Sequence, residues 1–223
     1  PPISLLATGL PVLWLVWLGK RGLPAGSLQR QWGLFAAGLA FNPLFIIIIE
    51  LLALIGLMLV VGLIIAINPE LAQDLSTLAM RLASSPPGSD NCLNILSPYL
   101  MQPAFLAAVF AYTSLLIPLI EEALKPLGLW LLAGRRLSPA QGFAGGLISG
   151  AGFALFENLS ALSAGGPDWT LLASLRITTA LLHVLTTGLV GWALAHAWTN
   201  KRFLRLGVTY SAVVILHGVW NAL

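Results

Sequence analysis

Between Gly33 and Ile67 the chain runs for 35 residues with a single ionisable side chain, Glu50. About 20 apolar residues are enough to cross a hydrocarbon layer of ~30 Å. A globule of 223 residues has no interior that could hide such a run, because most of its skin must meet water. The rest of the chain agrees, with 58% hydrophobic and 9% charged residues, against roughly 45–50% and 25% in soluble domains. A soluble enzyme, a secreted disulfide scaffold and a disordered chain are all excluded. The lone Cys92 removes intrachain disulfides and any CxxC site. The expected fold class is all-α, a polytopic transmembrane helical bundle of about six spans, forming one integral-membrane domain over 1–223.

Those spans are read at roughly 3–18, 33–67, 103–133, 141–164, 171–198 and 206–223, with kinks expected at Asn42-Pro43 and Pro126. A rival parse folds 33–67 into a hairpin about Asn42-Pro43. Charge decides against it. Lys20, Arg21, Arg30, Arg135, Arg136, Lys201, Arg202 and Arg205 are eight of the eleven basic residues. Six spans put all eight on one side, and the positive-inside rule then predicts both termini outside. The formal charge of +3 is therefore a matter of topology, and no nucleic-acid partner is expected. The long connection 68–102 reads as an external excursion with an amphipathic helix near 70–82 and a flexible tip. Trp14, Trp17, Trp32, Trp130, Trp169 and Trp198 fall near span ends, as belt residues do.

Ionisable groups inside spans are costly and mark function or pairing. Here they are Glu50, Glu121, Glu122, Lys125, Glu157, Arg176, His183 and His217. Counting ~1.5 Å per residue from inner helix ends puts Glu121, Glu122, Glu157, His183, His217 and Asn221 at depths of roughly 17–24 Å. Four helices thus bring polar groups to one stratum, which predicts one shared site. Gly142, Gly146 and Gly150 make two overlapping GxxxG patterns, a surface for close helix approach. Glu157 follows Gly150 by two turns, so it faces the bundle. His217 and Asn221 share a face, and Lys125 reaches either carboxylate at i+3 or i+4. Such a set can activate water, bind a metal or relay protons. For hydrolysis a Glu is the base, and His and Asn are the oxyanion donors. A packed ion-pair network of Glu121, Glu122 and Lys125 is the bland alternative. Arg176 reads as an interfacial anchor or a support for His183, and His196 as interfacial.

In sequence order, Glu121-Glu122-Ala123-Leu124-Lys125 reads EExxK and Gly152 to Asn158 reads GFAxxEN. His183 follows, and then His217-Gly218-Val219-Trp220-Asn221 as HxxWN. Over about 103–223 this set resembles the PrsW family of intramembrane proteases, in the clan of type II CAAX prenyl endopeptidases. The resemblance implies a hydrolytic site inside the bilayer of a prokaryotic cytoplasmic membrane. Its substrate would be a membrane-anchored protein, such as an anti-sigma-factor-like regulator. It implies Glu121 and Glu122 as the base and its partner, with His217 and Asn221 as oxyanion donors. Glu157 stands where CAAX enzymes commonly carry a His.

The catalytic set expected is therefore Glu121, Glu122, Glu157, His183, His217 and Asn221, supported by Lys125 and Arg176. No cofactor is required in the preferred reading. Zinc is the alternative, on Glu157, His183 and His217, since Glu/His ligands suffice, although HExxH, the strongest zinc-protease signal, is absent. The competing functions are a non-catalytic membrane scaffold and a proton-coupled transporter, the latter without the inverted repeat such proteins carry.

Overall fold

The computed structural model describes residues 2–133, 135–163 and 168–223, and among them every regular element is helical. Residues 164–167, where the fourth expected span ends, lie outside the described residues. In order the helices are α1 (Pro2–Lys20), α2 (Leu28–Ala36), α3 (Asn42–Ala66), α4 (Pro69–Ala83) and α5 (Asp90–Leu100). There follow α6 (Pro103–Ala111), α7 (Ile117–Leu124), α8 (Leu127–Trp130), α9 (Pro139–Ser163), α10 (Trp169–Asn200) and α11 (Phe203–Ala222). By length and composition, four runs among the described residues can cross a membrane: Leu28–Ala66, Pro103–Leu124, Trp169–Asn200 and Phe203–Ala222. Two further expected spans correspond to α1 and to α9. The latter is rich in glycine and alanine because it is packed on several sides by protein rather than lipid.

Residues 28–66 are one continuous helical run, so the hairpin about Asn42-Pro43 does not form. The irregularity there is a π segment, Ala37–Phe41, and a second lies at Tyr112–Leu116. Each ends just before an X-Pro pair, Asn42-Pro43 and Ile117-Pro118. A proline inside a helix lacks an N–H and crowds the carbonyl four residues back. Those carbonyls belong to Leu39 and Ser114, and each π segment contains one of them. One widened turn absorbs the crowding without breaking the span.

At Pro126 the same chemistry breaks the helix. Lys125 N–H still donates to Glu121 O at 2.7 Å, but Leu129 and Trp130 turn to Pro126 O. This leaves the Lys125 carbonyl without a helical donor. Asn42 Nδ2 (2.5 Å) and Ser149 Oγ (2.7 Å) supply the missing hydrogen bonds from two other helices.

The centre of the bundle is the antiparallel pair α9 and α10. A Cβ added at Gly142, Gly146 or Gly150 would collide with the carbonyl oxygens of Gly191, Thr187 and His183 respectively. The glycines advance by four residues while their partners retreat by four, as the GxxxG pattern predicts. Gly152 opposes Phe35 O, so α2 and the first π segment pack on another face of α9. Gly218 on α11 sits against Ser114 O in the second π segment.

The long connection holds one helix more than expected. The amphipathic helix is present as α4, opened by Asn68 Oδ1 accepting from Leu71 N–H at 3.2 Å. Beyond it, past the non-helical stretch 84–89, lies a second, unexpected helix, α5. Ser89 caps it by accepting from Cys92 N–H at 3.3 Å, a local signal a serine before Asp90 can give.

Candidate active site

α7 ends where Pro126 stops it, and its last inward turn carries Glu121, Glu122 and Lys125. Glu122 and Lys125 are fully buried, and Glu121 is 7% exposed. Buried charges at this depth persist only when paired and hydrogen-bonded. Lys125 Nζ lies 2.8 Å from Glu121 Oε2 and 2.9 Å from Glu122 Oε1. It also lies 2.8 Å from His183 Nδ1 on α10 and 3.4 Å from His217 Nδ1 on α11. The Phe153 ring of α9 covers the same ammonium at 4.7 Å.

The imidazoles are oriented by carboxylates. His217 Nδ1 is 2.9 Å from Glu122 Oε1, so the ring donates there and presents the lone pair of Nε2. That Nε2 lies 3.8 Å from Glu121 Oε2, a separation a single water bridges. His183 Nε2 is 2.6 Å from Glu157 Oε2, which leaves the Nδ1 lone pair facing Lys125. The two rings meet edge to face at 5.1 Å. Arg176 closes the far side, donating from Nη2 to Glu157 Oε2 (2.9 Å) and from Nε to Asn158 Oδ1 (2.9 Å). Of its two expected roles, the contacts are those of a support.

The structure thus gathers Glu121, Glu122, Lys125, His183 and His217 into one cluster, with Glu157 and Arg176 behind His183. Asn221 does not join it. Its side chain is exposed and donates from Nδ2 to Thr113 O at 3.0 Å, within the second π segment. The physical reason is that a widened turn presents carbonyls outward, and the amide one turn beyond His217 meets the nearest of them. His196 stays with Asn200 and Arg205 near the end of α10, as its interfacial reading expects. Glu50 is not paired with Lys125, and its Oε1 is buried without a hydrogen-bond partner.

Sequence reasoning missed Asn42, Ser149, Phe153 and Asn158 as parts of the site. Asn158 stood inside GFAxxEN, and Asn42 was a lone amide in an apolar run. Phe153 also stood inside GFAxxEN, whereas Ser149 gave no signal of its own.

Glu121, His183 and His217 can each offer one ligand atom, all within 4.8 Å of one another. One carboxylate and two imidazoles suit a borderline divalent ion such as zinc. This set differs from the expected one, since Glu157 is spent on His183 and Arg176 and Glu121 takes its place. A family model described as "PrsW family intramembrane metalloprotease" matches residues 46–223. The match includes most of α3 as well as the segments carrying the motifs. The metalloprotease description lends no support to a cofactor-free reading. No curated protein and no solved structure matches the chain.

Proposed function

This chain belongs to the PrsW family of intramembrane metalloproteases, and from that premise we propose that it cleaves a membrane-anchored protein using water activated at Glu121. The observation that carries the reading is the 3.8 Å gap between Glu121 Oε2 and His217 Nε2. Both atoms are hydrogen-bond acceptors in the arrangement above. A water between them donates one hydrogen to each and turns its oxygen lone pairs outward.

Glu121 is the partner of that water because it keeps some exposure, whereas Glu122 is enclosed by Lys125 and His217. The water oxygen attacks the scissile carbonyl carbon while its proton passes to Glu121. Positive charge on Lys125 offsets the charge growing on the carbonyl oxygen. As the C–N bond breaks, Glu121 returns the proton to the departing amine. Glu122 holds His217, and the chain of Arg176, Glu157 and His183 fixes the second imidazole. A divalent ion on Glu121, His183 and His217 would supply Lewis acidity to carbonyl and water. The proposed substrate class is a single-span protein such as an anti-sigma-factor-like regulator, and the proposed setting a prokaryotic cytoplasmic membrane.

The test is reconstitution in vesicles with single-span protein substrates. Glu121→Gln keeps size and hydrogen bonding but removes basicity. Cleavage is expected to fall by about 10²–10⁴, with the thermal transition close to wild type. Near-wild-type cleavage by the variant overturns the assignment.

A further inference from the structure

We propose that Lys125 is an internal cation seated in the metal position of the Glu121, His183 and His217 cluster, so that a divalent ion binds there only by displacing it. The inference rests on the family reading for the interest of the metal, but its argument comes from the cluster's own geometry.

A protonated lysine has three N–H donors and nothing else to offer. Three acceptors lie around Nζ at hydrogen-bond distance: Glu121 Oε2 at 2.8 Å, Glu122 Oε1 at 2.9 Å and His183 Nδ1 at 2.8 Å. The Phe153 ring adds its negative face at 4.7 Å. Two of the three groups able to ligate a metal, Glu121 and His183, are therefore engaged by the ammonium, and His217 Nδ1 lies 3.4 Å away. The Glu121 oxygen and the His183 lone pair that an ion would use already face Nζ at 2.8 Å each. The lysine cannot drift away at random, because its backbone is held by Asn42 and Ser149 at its carbonyl and its side chain is fully buried.

Two cations cannot share that space. A metal ion with Lys125 still in place would set like charges about a hydrogen-bond length apart in a poorly screened interior. Metal affinity is therefore reduced by the free energy needed to move the ammonium away from its acceptors. Without the positive charge, the carboxylates and imidazoles keep their positions and need a replacement cation.

The test is equilibrium zinc binding to the purified full chain in detergent, by competition with a chromophoric chelator, beside the thermal transition with and without zinc. The comparison is wild type against Lys125→Met. A second variant, Lys125→Met with Glu122→Gln, removes one positive and one negative charge together and so leaves the core's net charge unchanged should the single change unfold it. Glu122 is outside the ligand trio, so both variants keep Glu121, His183 and His217. Zinc is expected to bind a folded variant at least tenfold more tightly than wild type and to raise its transition more. Equal or weaker zinc binding in a folded variant overturns the proposal. Because the readout is metal affinity, failure here is distinct from failure of the proteolytic reading, which Glu121→Gln tests.

Discussion

His217 and Asn221 lie one helical turn apart, yet the same spacing serves two different ends. His217 is 2% exposed and bonded to Glu122 at 2.9 Å. Asn221 is exposed and bonded to the backbone of Thr113. An amide donating to a carbonyl freed by a π turn is a structural bond, worth roughly 0.5–1.5 kcal/mol. Asn221→Ala is therefore expected to lower stability by about 1 kcal/mol and to leave kcat of the folded protein nearly unchanged. Denaturation in mild detergent and single-turnover cleavage measure the two separately. A fall in kcat of about 10²–10³ at unaltered stability would return Asn221 to the oxyanion site. Lys125 shows the same dependence on surroundings. Its partners three and four residues earlier were legible as pairs, but the two imidazoles and the aromatic ring that complete its cage come from three other helices.

The elements owe their arrangement to where backbones can touch. α9 and α10 meet through Gly142, Gly146 and Gly150, each against a carbonyl oxygen of α10. That close approach brings Glu157 within reach of His183 and Arg176. A methyl group at Gly146 has no room, because Thr187 O and the Gly188 Cα already border the site. Gly146→Ala should cost about 1–3 kcal/mol, as overpacking does. Gly56 in α3 has nothing within 4 Å of an added Cβ, so Gly56→Ala should be neutral or stabilising by roughly 0.5–1 kcal/mol. Thermal unfolding of both variants in one detergent checks the contrast. Equal shifts would mean that the α9–α10 contact is looser than drawn. The π segments belong to this scale too, since Gly218 and Asn221 both dock on the one preceding Pro118.

For the whole molecule, the distribution of charge sets the expected orientation. The connections after α1, after α8 and after α10, with the helix ends that flank them, carry the eight clustered basic residues, while α4 and α5 carry Glu70, Asp74 and Asp90. The C-terminal half of α3 bares large apolar side chains such as Leu52, Leu59 and Ile64, a surface suited to lipid. In a Cys92→Ser background, Ser89→Cys should react with an impermeant thiol reagent in intact cells. Ser138→Cys should react only after permeabilisation. The opposite pattern reverses the topology.

The sequence by itself determined the environment, the helical class, the approximate spans, the glycine face of α9 and the gathering of polar groups from several helices. Lipid enforces these locally: a spanning segment must be apolar, helical and about as long as the bilayer is thick. Charge spacing along one helix likewise disclosed Glu121, Glu122 and Lys125 as neighbours. What only the tertiary structure decided is which groups meet across helices. Successive residues diverge by ~100° around a helix, so a small rotation exchanges one side chain for another at the centre. Contacts such as Lys125 with His183 and Glu122 with His217 span 58 and 95 residues of sequence. They depend on prolines that widen or break particular turns and on glycines that fix interhelical distance. That packing put Lys125 among the metal-ligating groups, turned Glu157 to the back of His183 and left Asn221 on a backbone carbonyl.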